Sequence, residues 1–369
     1  MKAAGRVVFR WDLDKTYLKT EFDSLRGLAR IPFESARDKV AAPGVAALIR
    51  GLRASGERRG DDVRIVFVSG SPPQIGNAIL EKLALDGIEH DGITFKDQWR
   101  RIRRGKFRDL REQVGYKLTE LLRDRRDERA GTVEYLFGDD WESDPLIYSL
   151  YADVVAGAVR RDELAKILAA LRVDGELCVF ADVLAGEVAT GDAVRRVFIN
   201  LARRTPPGRF RAYGVRLVPT FNYLQTAACL FDEGVLDVES VVGVVAAMRG
   251  EEGHDEEGRG EESYGVRSGA DDVDASATLR LLNSMRDIER RGHLSAAGAA
   301  VLTRALERSG ALPHATDGRA RWRDAWLRLR RRFADGVSPV VAGSTDYGAL
   351  VPALARQQES EYQVTGAGA

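Results

Sequence analysis

The sequence has only two cysteines, Cys178 and Cys229, in 369 residues. That is too few for a disulfide framework, and the pair fits buried, small apolar residues in a reducing compartment. Histidine is almost as scarce. His90, His254, His293 and His314 are scattered and give no metal-ligand spacing. No run approaches the ~20 apolar residues of a membrane span. The opening MKAAGRVVFRWDLDKT is interrupted by charge too soon for a signal peptide. A soluble, cytoplasmic protein is therefore expected. Net charge is also missing, with 56 basic and 56 acidic residues. This balance excludes a protein that coats nucleic acid or an anionic membrane by bulk charge, but it permits a local patch. Lysine nearly vanishes from the second half: of nine, eight lie at or before Lys117 and only Lys166 follows. Codon usage favouring arginine is the plain cause.

What is present is apolar material for a sizeable core, at 44% of the chain. At ~100–200 residues per domain, the length predicts two domains. Residues 1–157 alternate strand and helix patterns. Apolar runs at Val7–Phe9, Ile65–Val68 and Val133–Phe137, and a shorter one at Val154–Val155, read as strands buried on both faces. Helical faces lie between them. One is Val45, Leu48, Ile49 and Leu52; a second is Ile75, Ile79, Leu80 and Leu83; a third is Leu118, Leu121 and Leu122. The pattern predicts an α/β, Rossmann-like parallel sheet with helices on both faces, followed by a mainly helical second domain.

Residues 158–248 are expected to be a helical region, with stripes at Leu164/Ile167/Leu168/Leu171 and Leu224/Ala227/Ala228/Phe231. Residues 249–275, acidic and Gly-rich, read as a disordered linker. Residues 276–369 read as a second helical region with a frayed tail, including a Trp322/Trp326/Leu329 stripe.

Each main strand runs directly into polar residues of catalytic type, and ligands of open parallel sheets bind at the carboxyl ends of the strands. Asp12 and Asp14, Ser69, and Asp139, Asp140 and Asp144 are thus expected to share one crevice, with Lys117 reaching it from the start of a helix. Acidic residues after strands also serve as turn formers and caps, the plainer reading of Asp140, Glu142 and Asp144 taken singly. For Asp12 and Asp14 together that reading is weak, because buried paired carboxylates are costly without a partner.

Four stretches in this order resemble the haloacid dehalogenase-like hydrolase superfamily. They are Asp12-Leu13-Asp14-Lys15-Thr16 after a strand, Val66-Phe67-Val68-Ser69, Tyr116-Lys117-Leu118, and Gly138-Asp139-Asp140-Trp141-Glu142-Ser143-Asp144. A closer resemblance is to the actin-patch phosphatidate phosphatase catalytic domain family. It rests on Lys19-Thr20, Arg30-Ile31-Pro32-Phe33, Pro43-Gly44-Val45, Val68-Ser69-Gly70-Ser71-Pro72, Phe107–Lys117 and Asp144-Pro145-Leu146-Ile147-Tyr148. Lys15 stands where that family usually has a third acidic residue. The resemblance ends near residue 157.

The resemblance implies a phosphatase using Mg²⁺ and an aspartyl-phosphate. Asp12 would be the nucleophile and Asp14 the general acid and base. Mg²⁺, a hard cation that seeks oxygen, would be held by Asp12, Asp139 and the backbone carbonyl of Asp14, with Asp144 orienting a metal water or Lys117. Ser69 and nearby backbone N–H groups would bind phosphate oxygens, Thr16 would belong to the catalytic set, and Lys117 would offset the charge of the phosphoryl group and Asp12. Asp14-Lys15-Thr16 also echoes the D-K-T of P-type ion pumps. That register would make Asp14 the nucleophile, and the lack of membrane spans argues against it.

Little sequence remains for a cap over the site, which favours a lipid or macromolecular phosphate over a small metabolite. The basic run Arg100–Arg108 reads equally as a solvated loop or as a rim that steers an anionic headgroup or nucleic-acid end. Two other functions stay open. One is a phosphate-sensing module whose helical half recruits a protein partner. The other is a nucleic-acid end phosphatase.

Overall fold

The computed structural model describes residues 5–13, 16–17, 41–69, 76–95, 110–141, 143–257, 270–311, 345–354 and 356. Two compact units emerge. The first comprises Met1–Val40, Gly60–Pro219 and Val341–Ala369; the second comprises Ala41–Arg59 and Thr220–Val340.

The first unit is the expected Rossmann-like α/β fold. Its strands are β1 (Arg6–Asp12), β2 (Asp62–Ser69), β3 (Gly92–Phe95), β4 (Val133–Asp139), β5 (Val194–Asn200) and β6 (Leu217–Thr220). They form one parallel sheet in the order β3-β2-β1-β4-β5-β6. From β1 the chain steps outward to β2 and β3, then crosses back to β4 and steps the other way. The order therefore reverses between β1 and β4, and a ligand crevice opens at the carboxyl ends of those two strands.

Sequence alternation explains the two faces. Phe9 stacks on Tyr135 with centroids 5.7 Å apart, Trp11 on Phe137 at 3.8 Å, and Phe137 on Phe198 at 5.4 Å. Those rings share one face of β1, β4 and β5. Leu136, between Tyr135 and Phe137, belongs to the other. There it joins Val114, Leu118 and Leu121 of a helix at Leu110–Arg126 and Ile147, Leu150 and Tyr151 of one at Asp144–Val155. Helices Arg161–Ala170 and Gly175–Glu187 complete this layer. So does a helical segment at 347–354, through Tyr347, Leu350 and Val351.

In chain order the helices are α1 (Val45–Arg59), α2 (Gly76–Leu85), α3 (Leu110–Arg126), α4 (Asp144–Val155), α5 (Arg161–Ala170), α6 (Gly175–Glu187), α7 (Tyr223–Asp232), α8 (Val238–Glu257), α9 (Ala270–Arg290) and α10 (Ala296–Arg308). The second unit, among the described residues, is built of helices. Gly51 of α1 lets that helix approach α8 closely: a β-carbon there would lie 2.8 Å from Ser240 Cβ. Ser55 and Ser240 hydroxyls hydrogen-bond across the same contact at 3.0 Å.

Several expectations need correction. The sheet does not end near residue 157, since β5 and β6 lie in the stretch expected to be helical. Arg195 and Arg196 break the apolar run of β5, and β6 is a four-residue Leu-Val-Pro-Thr strand whose proline suits an edge. Residues Val154–Val155 are not a strand but the last turn of α4. Every residue of that helix is buried, so no 3.6-residue period shows. Helix α1 belongs to the second unit rather than to the sheet domain. Of the face read into α2, Ile79 and Leu83 are buried while Leu80 is 37% exposed. The 249–275 linker is helical at both described ends, because α8 runs to Glu257 and α9 starts at Ala270. The Trp322/Trp326/Leu329 stripe and the Arg100–Arg108 run lie outside the described residues, as do the last thirteen residues. No described helix is long and apolar enough to cross a membrane.

Candidate active site

Two strands deliver the central carboxylates. The apolar run of β1 ends on Asp12 and that of β4 on Asp139, and Trp11 is paired with Phe137, so Asp139 stands one residue beyond the level of Asp12. The chain then enters α4, where Pro145 suits the first turn and Asp144 sits at the helix start. A carboxylate there is stabilised by the unpaired N–H groups and the positive end of the helix dipole. Asp12, Asp139 and Asp144 are all fully buried, and each offers an oxygen within 4.8 Å of the others.

Lys117 reaches this cluster from α3. Its ammonium donates to Asp12 Oδ1 at 2.8 Å and to Asp144 Oδ1 at 2.7 Å, and it too is buried. Lys117 was expected at a helix start, yet α3 begins at Leu110, which places it mid-helix. The buried Val114, Leu118 and Leu121 continue the apolar stripe through it, so packing rather than a helix end fixes its position.

Asp144 serves two neighbours. Besides Lys117, its Oδ2 lies 3.4 Å from the backbone N–H of Asp139. Asp139 Oδ1 in turn accepts from the backbone N–H of Trp141 at 2.6 Å. Gly138 makes room for this: a β-carbon there would lie 2.5 Å from Asp144 Oδ2 and 2.8 Å from Tyr148 Cε2. The Tyr148 phenol is held well above its ordinary pKa by burial first and by the nearby charge of Asp144 next, with Lys117 opposing. It is therefore a neutral wall of the site.

Ser69 closes β2 one residue beyond Val68, the partner of Asp12, and is fully buried. Thr16 is buried in the turn that follows Asp12, where the Tyr17 N–H donates to Leu13 carbonyl at 3.3 Å. Asp14 lies outside the described residues, as does Glu142. Asp140 does not join the cluster. Its carboxylate accepts the backbone N–H groups of Arg203 at 2.8 Å and Thr205 at 3.1 Å, so it is a cap for the loop after β5.

A second buried ionic cluster escaped the sequence reading. Glu134 accepts from Arg10 Nε at 3.0 Å, Arg125 Nη1 at 2.9 Å and Tyr151 hydroxyl at 2.6 Å. It draws one residue from each of β1, α3, β4 and α4, the elements that carry Asp12, Lys117, Asp139 and Asp144. The signal was present as single charges inside apolar strands, in VVFRWD and VEYLFGD.

The donor set fits a hard divalent cation. Among the described residues, three buried carboxylates face one buried ammonium, and such an excess of negative charge is costly in a low-dielectric interior without further positive charge. Oxygen donors of this kind suit Mg²⁺. No family model matches the chain, and no curated protein matches it.

Proposed function

We propose that this chain is a Mg²⁺-dependent phosphomonoester hydrolase of the haloacid dehalogenase-like superfamily. The observation that supports it most is the buried grouping of Asp12, Asp139 and Asp144 around Lys117 at the switch point of a parallel sheet. A structural ion pair needs one carboxylate per lysine, and among the described residues three carboxylates meet Lys117. Three suit a site that holds a cation and then a phosphate.

In this reading Asp12 attacks phosphorus and the bond to the leaving oxygen breaks. Asp14 gives that oxygen its proton. Water then attacks the aspartyl-phosphate as Asp14 takes a proton from it, the bond between phosphorus and Asp12 breaks, and Asp12 is regenerated with release of inorganic phosphate. Lys117 holds the Asp12 carboxylate in place and offsets its charge. Ser69 and Thr16, buried beside the end of β1, are assigned to the phosphate oxygens. Asp12 and Asp139 would hold the cation with the Asp14 carbonyl, and Asp144, engaged by Lys117 and the Asp139 N–H, would support them. The bound cation would supply positive charge that lets an anionic nucleophile meet an anionic ester.

Phosphatidate or another lipid phosphate is the leading substrate, on resemblance alone. A cytoplasmic location belongs to the same proposal, in keeping with free thiols at Cys178 and Cys229. The test is turnover of a generic aryl phosphate with Mg²⁺, with EDTA, and in Asp12→Asn. Activity that needs Mg²⁺ and Asp12 is expected. Activity that survives Asp12→Asn rules out the mechanism.

A further inference from the structure

The loop after β5 lies in the longest stretch of the chain without an acidic residue. From Ala193 to Phe231 the sequence has seven arginines and no acidic residue, where an even spread would place about six acids. Two of the arginines are paired from outside, Arg195 with Asp192 and Arg216 with Asp153. Arg203, Arg204 and Arg209 are exposed and, among the described residues, no carboxylate pairs with their guanidinium groups.

This loop is fastened to the candidate active site rather than merely near it in sequence. Asn200, its last strand residue, is the register partner of Asp139, and its carbonyl accepts the Asp140 N–H at 3.2 Å. Asp140 then holds the loop by the N–H groups of Arg203 and Thr205. The Arg203 guanidinium lies 4.1 Å from the ring centroid of Trp141, the residue whose N–H holds Asp139. A cation placed over an indole is pre-positioned, yet its N–H donors stay available at the ring plane's outer side. Asp140 thus spends its carboxylate on backbone N–H groups and leaves the arginine charge unneutralised.

We propose that Arg203, with Arg204 and Arg209, forms an anion-binding rim that grips a second phosphate on the leaving group of the substrate. The proposal rests on the phosphatase reading of the same site and, within it, favours esters bearing at least one further phosphate over phosphatidate, which has none. Arginine suits that task because its planar fork matches phosphate oxygens. Two sources offer the same chemistry, a nucleic-acid end and a bisphosphorylated inositol headgroup.

Binding and turnover are measured separately. For binding, Asp12→Asn is titrated calorimetrically with orthophosphate and with pyrophosphate, in the presence of Mg²⁺. Pyrophosphate should bind at least tenfold tighter. Adding Arg203→Ala should remove most of that preference and lower the salt dependence of binding, whereas Arg195→Ala should change neither. Equal affinity for the two anions, or a preference untouched by Arg203→Ala and by Arg204→Ala/Arg209→Ala, overturns the proposal. For turnover, kcat/KM is compared for an aryl phosphate, a 5′-phosphorylated oligothymidylate and inositol 1,4-bisphosphate. A preference of tenfold or more for either of the last two, reduced by Arg203→Ala, supports the rim and identifies the source. No preference overturns it. If nothing is turned over but the pyrophosphate preference holds and depends on Arg203, the phosphatase reading fails and the anion rim stands.

Discussion

Gly138 and Asp144 are in such close contact that the first allows no side chain. A β-carbon at 138 would lie 2.5 Å from Asp144 Oδ2 and 2.7 Å from Asp144 Cβ. The neighbour cannot give way, because Asp144 begins a helix buried on every side and its carboxylate is bonded to Lys117. Gly138→Ala is therefore expected to cost about 1–3 kcal/mol of stability through overpacking. Since the displaced group is Asp144, kcat should fall tenfold or more even where the protein is folded. Urea unfolding and steady-state kinetics check the two effects. An unaffected kcat would show that Asp144 is not needed where it stands.

Lys117→Met tests the charge balance of the cluster. Methionine keeps most of the volume but removes the ammonium that bonds both Asp12 and Asp144. Taking one partner from a buried pair typically costs about 3–5 kcal/mol. The variant should melt well below the parent without Mg²⁺ and recover a larger share of its stability with Mg²⁺, because the ion then supplies the missing positive charge. Thermal unfolding with Mg²⁺ and with EDTA decides. A variant as stable as the parent in EDTA contradicts the excess negative charge on which the metal assignment rests.

The two central carboxylates and the lysine were legible because each follows or faces a long apolar pattern: β1 ends on Asp12, β4 on Asp139, and Lys117 lies within the Val114/Leu118/Leu121 stripe. Asp140 was misplaced because a strand end sends neighbouring acids to different tasks, and only coordinates separate a cluster member from a loop cap. The Arg10–Glu134 pair was missed for the opposite reason. A charge inside an apolar strand reads as a blemish until its partner, more than a hundred residues away, is seen beside it. β5 and β6 stayed hidden behind arginines and a proline, and α4, buried on all sides, showed no helical period. Asp14, the proposed acid and base, rests on sequence alone.

Asp139 and Asp144 should differ as metal ligands. Asp144 is engaged by the Lys117 ammonium and faces the Asp139 N–H, whereas Asp139 ends strand β4 and accepts from the Trp141 N–H through Oδ1. Asp139→Asn is expected to abolish the Mg²⁺-induced rise in melting temperature. Asp144→Asn should weaken it about tenfold in Mg²⁺ concentration while leaving it measurable, in line with the usual effect of altering a group that orients a ligand. Mg²⁺ titrations followed by thermal unfolding distinguish them. The reverse ranking would move the ion to Asp144 and Asp12.

Glu134 should make the fold acid-sensitive in its own right. Burial pushes its carboxyl pKa up, but the charge of Arg10, the hydrogen bonds from Arg10 and Tyr151, and the charge of Arg125 outweigh it, and the folded value lies below the ordinary 4.5. A depressed folded pKa means the unfolded chain takes up the proton first. The stability Glu134 contributes is thus complete above about pH 4.5 and is lost as the pH falls through the lower, folded value. Glu134→Gln removes the titrating group. It should cost about 3–5 kcal/mol at pH 7, since Arg125 loses its buried carboxylate and Arg10 keeps only the partly exposed Asp124. It should also flatten the fall in unfolding free energy below pH 4.5. Denaturant unfolding across that range measures both. Parallel curves for parent and variant would mean that the acid sensitivity arises elsewhere, and that Arg10 and Arg125 do not depend on a charged Glu134.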